Sequence, residues 1–264
     1  MKLAAISDIH GNLPALEAVL ADIVREGVDA TVNLGDIVSG PLWPAETADR
    51  LMALNLPTLA GNHERQVLTQ HPDEMGASDR HTLAQLQPRH RAWLASLPAT
   101  LRWRDDVLLC HGTPSSDLHY GLETVTSDYQ PGRTPGVRAA SASEVLERLG
   151  DAMHGVAHGL ILCGHTHVPR CARVADGRLV VNPGSVGLQA YSDEHPHVHI
   201  IETGSPHARY ALLTLDAGGW RADLRSVAYN FEAAAAQAEH NGRPDWAEAL
   251  RTGRMGRFAP NVTH

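Results

Sequence analysis

The sequence predicts a layered α/β fold, and three observations lead to that class. Short apolar runs of strand length alternate along the chain with segments whose apolar residues recur at helical spacing. An alternating order of strands and helices is typical of sheets covered by helices. The chain has 264 residues, of which 43% are hydrophobic, enough for one large core with added surface segments. Because neither a repeat nor a compositional boundary divides it, we expect a single domain over residues 1–264.

The first half of the chain begins with a clear strand and a clear helix. Lys2–Ile6 is an apolar run typical of a buried strand. Asn12 can cap the helix that follows, and Gly27 is a typical residue for its end. The apolar residues predicted for the buried face of this helix are Leu13, Leu16, Val19, Leu20, Ile23 and Val24. Further strands are predicted at 28–34, 57–60 and 107–110, a helix at 45–54 and a mainly helical stretch at 65–100.

The second half contains a long segment without periodicity and then a β-rich region. Residues 113–140 are rich in Gly, Pro, Ser and Asp, and loops of that length are often functional. Ser141 or Ser143 can cap the next helix. Strands are predicted at 160–163, 179–181, 198–201, 210–215 and 220–224, and helices at 231–238 and 244–250. We expect the segments at about 65–100 and 113–158 to form a small cap of helices and loops over the site.

Composition argues against several classes of function. Acidic residues number 30 against 22 basic ones, a net charge of −8, and aromatic residues make up 5%. A long nucleic acid usually needs a basic face, so we do not expect one as a partner. No stretch reaches the ~18 apolar residues of a membrane span, and Ser7 and Asp8 interrupt the first apolar run too soon for a signal peptide. Three cysteines without paired spacing fit a reducing compartment, so we expect a cytoplasmic protein without a membrane partner.

Residues of the types that bind metals follow five of the predicted strands. Ligands of α/β sheets bind outside the carboxyl ends of strands, so we expect these side chains to meet at one rim. A glycine precedes three of them, at Gly35, Gly61 and Gly164, where it would permit a sharp turn from strand to loop. In strand order the candidates are Asp8 and His10, then Asp36, then Asn62 and His63, then His111, and finally His165 and His167.

The chemistry of this set fits two divalent cations. Imidazole and carboxylate together favour transition metals over calcium or magnesium, and no cysteine is among them. Seven ligands for two ions leave positions open for water or substrate, as catalytic centres require. Each motif alone has an ordinary structural interpretation: Asp8-x-His10 can be a turn before a helix, and His111 a hydrogen-bonded residue at a strand end. The joint order, each after a strand, favours the metal site.

The ordered motifs resemble the signature blocks of the calcineurin-like metallophosphoesterase superfamily, over roughly residues 1 to 190. The blocks are Asp8-x-His10, Gly35-Asp36, Gly61-Asn62-His63-Glu64, His111 and Gly164-His165-x-His167. The resemblance is strongest to compact bacterial phosphodiesterases, and it implies a two-sheet α/β/β/α sandwich. Carried over by position, it implies that Asp8, His10 and His167 bind one metal, that Asn62, His111 and His165 bind the second, and that Asp36 bridges both. It makes His63 the catalytic histidine and not a ligand.

The function implied by the resemblance is hydrolysis of a phosphate ester by a hydroxide held between two divalent ions. Manganese is the first choice, with iron, zinc, nickel or cobalt as alternatives. His63 would stabilise the transition state or protonate the leaving oxygen. Glu64 would either orient the site or face solvent at a helix start. The expected partner is a small phosphodiester or nucleotide-like substrate. The alternatives are a phosphomonoesterase, an asymmetric dinucleoside polyphosphate hydrolase, a nuclease and a non-catalytic metal-bound scaffold.

The chain departs from the family pattern in two places. The stretch 37–41 after Asp36 lacks the arginine of protein serine/threonine phosphatases and symmetrical dinucleoside tetraphosphatases, which argues against those activities. The turn at 182–185 also lacks the arginine that follows it in many relatives. Arg91, Arg133 or Arg138 would then contact substrate, unless each is simply solvated.

Other residues can be placed near the mouth of the site with less support. His119 and Tyr120 lie in the long segment and can reach the mouth. His195, His197 and His199 alternate, which would place them on one strand face. Because no carboxylate or cysteine is spaced to join these three histidines, we expect a solvated face and not a further metal site.

Overall fold

Two β-sheets pack face to face in the computed structural model, which describes residues 1–256 of the chain. In chain order, the strands are β1 (Lys2–Ile6), β2 (Ala30–Asn33), β3 (Thr100–Arg104), β4 (Val107–Cys110), β5 (Glu123–Val125), β6 (Val137–Ala139), β7 (Leu160–Leu162), β8 (Arg170–Arg173), β9 (Leu179–Asn182), β10 (Ala190–Asp193), β11 (His199–Glu202), β12 (Ala208–Asp216) and β13 (Gly219–Val227). The helices are α1 (Leu13–Glu26), α2 (Pro44–Leu54), α3 (Asn62–Thr69), α4 (Ala77–Gln85), α5 (Pro88–Ala95), α6 (Ala142–Leu149), α7 (Phe231–His240) and α8 (Pro244–Thr252).

Each large sheet contains parallel strands that end at the same side of the molecule. The first sheet has the order β13-β12-β1-β2, with β1 and β2 parallel. The second has the order β3-β4-β7-β9-β8, with β4, β7 and β9 parallel. Two short ribbons, β5-β6 and β10-β11, lie outside these sheets. The predicted α/β class and the two-sheet sandwich are therefore confirmed.

The side chains of β1 show why the sheets stack. Successive residues of a strand point to opposite faces. Leu3 and Ala5 lie in the apolar cluster between the sheets, which also contains Leu109 and Leu162 of the second sheet. The alternate residues of β1, such as Ile6, lie in a separate cluster with the buried side of α1. A third cluster joins α6 to the outer face of the second sheet. The layers are thus helix, sheet, sheet, helix.

Helix α1 begins and ends where its sequence predicts. The Asn12 side chain accepts a hydrogen bond from the Ala15 N–H at 3.2 Å, and Gly27 ends the helix with a φ of 61°. The predicted buried face is wrong at one residue, because Val24 is 78% exposed at the edge of the apolar stripe. At 14 residues α1 is the longest described helix, and none within residues 1–256 is long and apolar enough to cross a bilayer.

The predicted elements fail where the apolar signal is weak or misleading. The segment 57–60 is not a strand, because it makes one parallel bridge to β2, at Thr58, before the chain turns into α3. Strands β3, β8 and β10 and the β5-β6 ribbon were not predicted. β3 and β8 contain arginines on their exposed faces, so they lack the continuous apolar run of a buried strand. The helical stretch predicted at 65–100 contains α4, α5 and most of α3, which begins earlier at Asn62, and its last residue, Thr100, begins β3.

Candidate metal centre

Seven predicted ligands meet at one rim, above the carboxyl ends of β1, β2, β4 and β7 and the start of α3. Six of these residues form two groups of three, and within each group the ligand atoms all lie within 4.8 Å of one another. Six of the seven side chains are buried and His165 is half-buried. The first group is Asp8, His10 and His167, and the second is Asp36, His111 and His165.

Asn62 and the shared carboxylates join these groups into one centre. Asn62 Oδ1 lies 3.1 Å from His111 Nε2, which places this amide in the second group. Asp36 Oδ2 lies 3.1 Å from the same nitrogen. Asp8 Oδ1 lies 3.5 Å from His167 Nε2 and 4.0 Å from His111 Nε2, so Asp8 contacts histidines of both groups. The bridging role of Asp36 stays a prediction.

The backbone at the rim is strained. A side chain other than glycine at positive φ is uncommon, and each such residue costs of order 1 kcal/mol or more. Strain of this kind clusters at functional sites, where the surrounding structure holds it in place. Five of the seven predicted ligands adopt this conformation: Asp8 (φ 54°), His10 (51°), Asp36 (51°), His165 (69°) and His167 (59°).

Backbone carbonyls orient the histidine rings. A ring whose Nδ1–H donates to a carbonyl presents its Nε2 lone pair to the site, a common arrangement around bound metals. One ring is held the other way and presents Nδ1. The contacts are His10 Nδ1 to the Ser39 oxygen at 2.7 Å, His111 Nδ1 to Leu34 at 2.8 Å, His167 Nδ1 to Leu188 at 2.7 Å, and His165 Nε2 to Leu118 at 3.2 Å.

Burial and charge set the protonation of the centre. Burial lowers the pKa of His10 to about 4 and that of His165 to about 3, so both imidazoles are neutral, as ligands must be. Burial also opposes the charged form of His111, but the charge of Asp36 raises its pKa to about 10. A cation bound beside Asp36 competes with that proton. Burial raises the pKa of Asp8 to about 7. The nitrogen and oxygen donors therefore fit divalent transition metals.

Glu64 fixes the loop that carries Asp36. It is fully buried, so the solvent-facing interpretation is wrong. Its Oε2 accepts from the N–H groups of Asp36 and Gly61, and its Oε1 accepts from Ile37, all at 2.8 Å. Gly35 makes the predicted turn with a φ of 95°. Glycine is needed at position 61 because there is no space for a side chain: a Cβ there would lie 2.2 Å from Asp36 Oδ1.

His63 lies at the rim outside both ligand groups. Its side chain is 30% exposed and lines the cleft above the rim. Its Nδ1 lies 2.9 Å from Oδ1 of Asp79 on α4, and that oxygen also accepts from the Ser39 hydroxyl at 2.6 Å. Burial opposes protonation, but Asp36 and Asp79 raise the pKa of His63 to about 9. Sequence reasoning missed Asp79, since no motif or spacing marks it.

Two tyrosines pack on the outer side of the centre. The Tyr120 ring lies 5.0 Å from the His165 ring and the Tyr191 ring lies 4.8 Å from the His167 ring, between centroids. The two hydroxyls are 2.7 Å apart, and that of Tyr120 lies 2.8 Å from His199 Nε2. Each tyrosine therefore braces a histidine of a different ligand group.

The predicted solvated face of alternating histidines is wrong. Strand β11 begins only at His199, so His195 and His197 precede it and are exposed. His199 is fully buried, with Nδ1 2.8 Å from the carbonyl of His197. The alternation is interrupted because the strand is shorter than the pattern, and His199 instead supports Tyr120.

A cleft of about 1020 Å³ opens over the rim. The segments 65–100 and 113–158 line it with Gln66, Ser78, Leu118, His119, Tyr120, Glu123, Thr124, Val125 and Arg148. The C-terminal helices, which the sequence did not connect with the site, add Arg243, Asp245 and Trp246. Arg91, Arg133 and Arg138 are exposed and are not among the described lining residues.

The fold and the site define a metallophosphoesterase, a metal-binding hydrolase of phosphate esters. The chain belongs to the calcineurin-like phosphoesterase superfamily, whose domain model matches residues 1–205. It is 27% identical over 266 residues to an uncharacterized protein of Methanocaldococcus jannaschii, covering 96% of this chain and 98% of that protein.

Two solved structures are similar over nearly the whole chain. A metallophosphoesterase from Sphaerobacter thermophilus matches with a TM-score of 0.70 and 28% identity, over 96% of this chain and 99% of that one. A hypothetical protein from Pyrococcus horikoshii matches with a TM-score of 0.68 and 21% identity, over 96% and 98%, and shows the fold alone. Both matches extend beyond residue 205, so the C-terminal helices belong to the shared architecture.

Proposed function

We propose that this chain hydrolyses phosphate esters at a dinuclear metal centre, with a small phosphodiester or nucleotide-like molecule as substrate. The observation that carries the proposal is the pair of adjoining ligand groups at the floor of a large cleft. One cation would be held by Asp8, His10 and His167. The other would be held by Asn62, His111 and His165, with Asp36 shared between them. Manganese is the first choice, with iron, zinc, nickel and cobalt as alternatives.

The side chains around the centre have separate tasks in this reaction. When bound, two divalent cations lower the pKa of an attacking water and neutralise charge on the phosphoryl oxygens. Asp79 holds Nδ1 of His63, which leaves Nε2 for the substrate. The carboxylate of Asp79 beside Nδ1 favours the protonated ring, which can donate a proton to the leaving oxygen.

The size of the cleft favours a diester over a monoester. A volume of about 1020 Å³ lies at the upper end of the range for small-molecule sites and far exceeds a phosphate group. The lining includes Tyr120, whose ring lies against His165 of one ligand group, and Trp246, whose ring lies against His10 of the other. A diester has two organic groups, one for each of these parts of the cleft. The chain also retains His63 and all seven predicted ligands, which argues against a non-catalytic scaffold.

The test is metal removal followed by a comparison of two substrates. Protein stripped with a chelator should lose activity and regain it with manganese or another of the named metals. Reconstituted enzyme should give a higher kcat/KM for bis(p-nitrophenyl) phosphate than for p-nitrophenyl phosphate. A preference for the second substrate would instead identify a monoesterase. Full activity in protein shown by metal analysis to be metal-free would refute the mechanism.

A further inference from the structure

One wall of the cleft comes from the part of the chain that follows the matched family domain. Trp246 and Ala249 of α8, and Met255 after it, line the cleft beside Leu188 and Ala190 of the domain. All five belong to one larger buried apolar cluster. We call these five residues the C-terminal wall. This wall touches the catalytic centre, because the rings of Trp246 and the predicted ligand His10 lie 5.9 Å apart between centroids.

The arginine beside this wall is already neutralised. Arg243 donates from Nε and Nη2 to the carboxylate of Asp245 at 2.9 and 2.7 Å, and from Nη1 to the Ser78 hydroxyl at 2.9 Å. Its guanidinium carbon also lies 5.6 Å from the centre of the Trp246 ring. An anionic group of a substrate would have to displace Asp245 to reach this cation.

Arg148, the other arginine of the described lining, also has hydrogen-bond partners already. Arg148 donates from Nη1 to the carbonyl oxygen of Glu123 at 2.8 Å and from Nη2 to the Thr124 hydroxyl at 2.7 Å. Asp193 adds a further carboxylate to the lining. Beyond the metal centre, the described lining therefore combines apolar, uncharged polar and carboxylate side chains and the histidines His119 and His195 with two arginines that already have hydrogen-bond partners. A second phosphate placed there would lose its hydration without gaining a free guanidinium partner.

We infer that the C-terminal wall is the subsite for an uncharged organic group of a phosphodiester, and that it selects substrates with one phosphate over polyphosphates. The inference rests on the proposed function. Trp246, Ala249 and Met255 line the cleft but are each less than a tenth exposed, so an apolar group packed against them gains mainly from leaving water itself. The same wall disfavours a chain of phosphates, which separates a diesterase from a dinucleoside polyphosphate hydrolase.

The first experiment compares two diesters of equal charge that share the leaving group p-nitrophenolate. Methyl p-nitrophenyl phosphate has a second group too small to reach the wall, and the 5′-(p-nitrophenyl phosphate) of thymidine has a large one. The ratio of kcat/KM should favour thymidine by about tenfold or more, the usual scale for filling an apolar pocket. Ala249→Leu, which narrows the subsite, should reduce this ratio severalfold.

Ala238→Leu is the matched control, since Ala238 is buried in the same cluster but on α7, outside the described lining. It should leave the ratio unchanged, with melting temperatures recorded for both variants. A ratio near one in the wild type, or an equal fall in both variants, would overturn the subsite and leave the proposed function standing. Failure of the manganese-loaded wild type to hydrolyse either ester would overturn the proposed function, and the subsite with it.

The second experiment changes the ion pair between Arg243 and Asp245 and leaves the packing of the apolar cluster intact. The wild type should hydrolyse the p-nitrophenyl ester of thymidine 5′-triphosphate at least about tenfold less efficiently than the monophosphate diester. Asp245→Asn removes the charge that pairs with Arg243. It should reduce this gap, the ratio of the two kcat/KM values, severalfold. Glu239→Gln removes one of the two carboxylates that pair with Arg251 between α7 and α8, outside the described lining, and should leave the gap unchanged. Equal efficiency on both esters in the wild type would overturn the selection against polyphosphates.

Discussion

The metal-binding rim and the C-terminal wall face the same cleft but are built in opposite ways. The rim buries charged and polar ligands on backbone in the left-handed region, as at Asp8 and Asp36. The wall consists of apolar side chains, and Arg243 beside it is paired with the carboxylate of Asp245. Charged groups on a strained backbone suit a catalytic site whose geometry is fixed before the substrate binds. The unstrained wall suits selection of the group attached to phosphorus.

The largest effect should follow removal of the predicted shared carboxylate at the rim. Asp36→Asn removes a negative charge that would hold both cations and offset their repulsion. Turnover should fall to the detection limit, and bound metal should fall below that of the wild type. Metal analysis and diester hydrolysis on one preparation provide the check, with Asp105→Asn, an exposed residue of the β3-β4 turn, as control. Near-normal rate with about two metals bound would show that Asp36 does not bridge.

His63 should separate binding of metal from catalysis. His63→Gln should keep about two metals per chain while the rate falls by roughly 10²-fold or more, the usual range for a lost proton donor. Substrates with good leaving groups, such as nitrophenolate esters, should lose less because they need little protonation. Rates on two leaving groups and metal content would be measured together. Loss of metal in step with activity would make His63 a ligand. An equal loss for both leaving groups would place its action on the phosphoryl oxygens.

Asp79 should act through His63 and have a smaller effect. Asp79→Asn keeps the shape of the side chain but removes the charge beside Nδ1, and a loss of roughly 10- to 100-fold is typical of such outer partners. The double variant with His63→Gln should be no slower than His63→Gln alone, because both changes affect one unit. Asp73→Asn, exposed in the same segment, serves as control. Additive losses in the double variant would mean that Asp79 acts independently.

The smallest effect should come from the tyrosine pair. Tyr120→Phe keeps the ring against His165 but removes the hydroxyl contacts to Tyr191 and His199. The free energy of unfolding should fall by about 1–3 kcal/mol, as measured by denaturant titration, because two hydrogen bonds are lost and Nε2 of the buried His199 loses its partner. The rate should fall less than in Asp79→Asn. A loss as large as that of His63→Gln would move Tyr120 into the catalytic group.

The sequence predicted the rim far better than the wall, for a physical reason. Each predicted ligand directly follows an apolar run or a short glycine motif, so local pattern alone places it at a strand end. Asp79 and Trp246 lie on helices whose patterns carry no sign of the cleft they face. Their positions depend on how α4 and α8 pack against the rim, which spacing along the chain does not encode.

The same distinction holds for the strands. β1 and β4 are mainly apolar runs and were predicted to the residue, whereas β3 and β8 alternate half-buried and exposed positions and were missed. The apolar run at 57–60 gave the opposite error: it was predicted as a strand but contacts β2 at only one bridge. The positive φ at the predicted ligands, such as His167, also has no signature in the sequence.

The central claim is that two cations, held by this rim, are needed for hydrolysis of a phosphate ester. Its most direct test is a manganese titration of metal-stripped wild-type protein, with bound metal and bis(p-nitrophenyl) phosphate hydrolysis measured in the same samples. About two manganese ions should bind per chain, and activity should rise with occupancy of the second. Full activity with one ion per chain, or hydrolysis without bound metal, would contradict it.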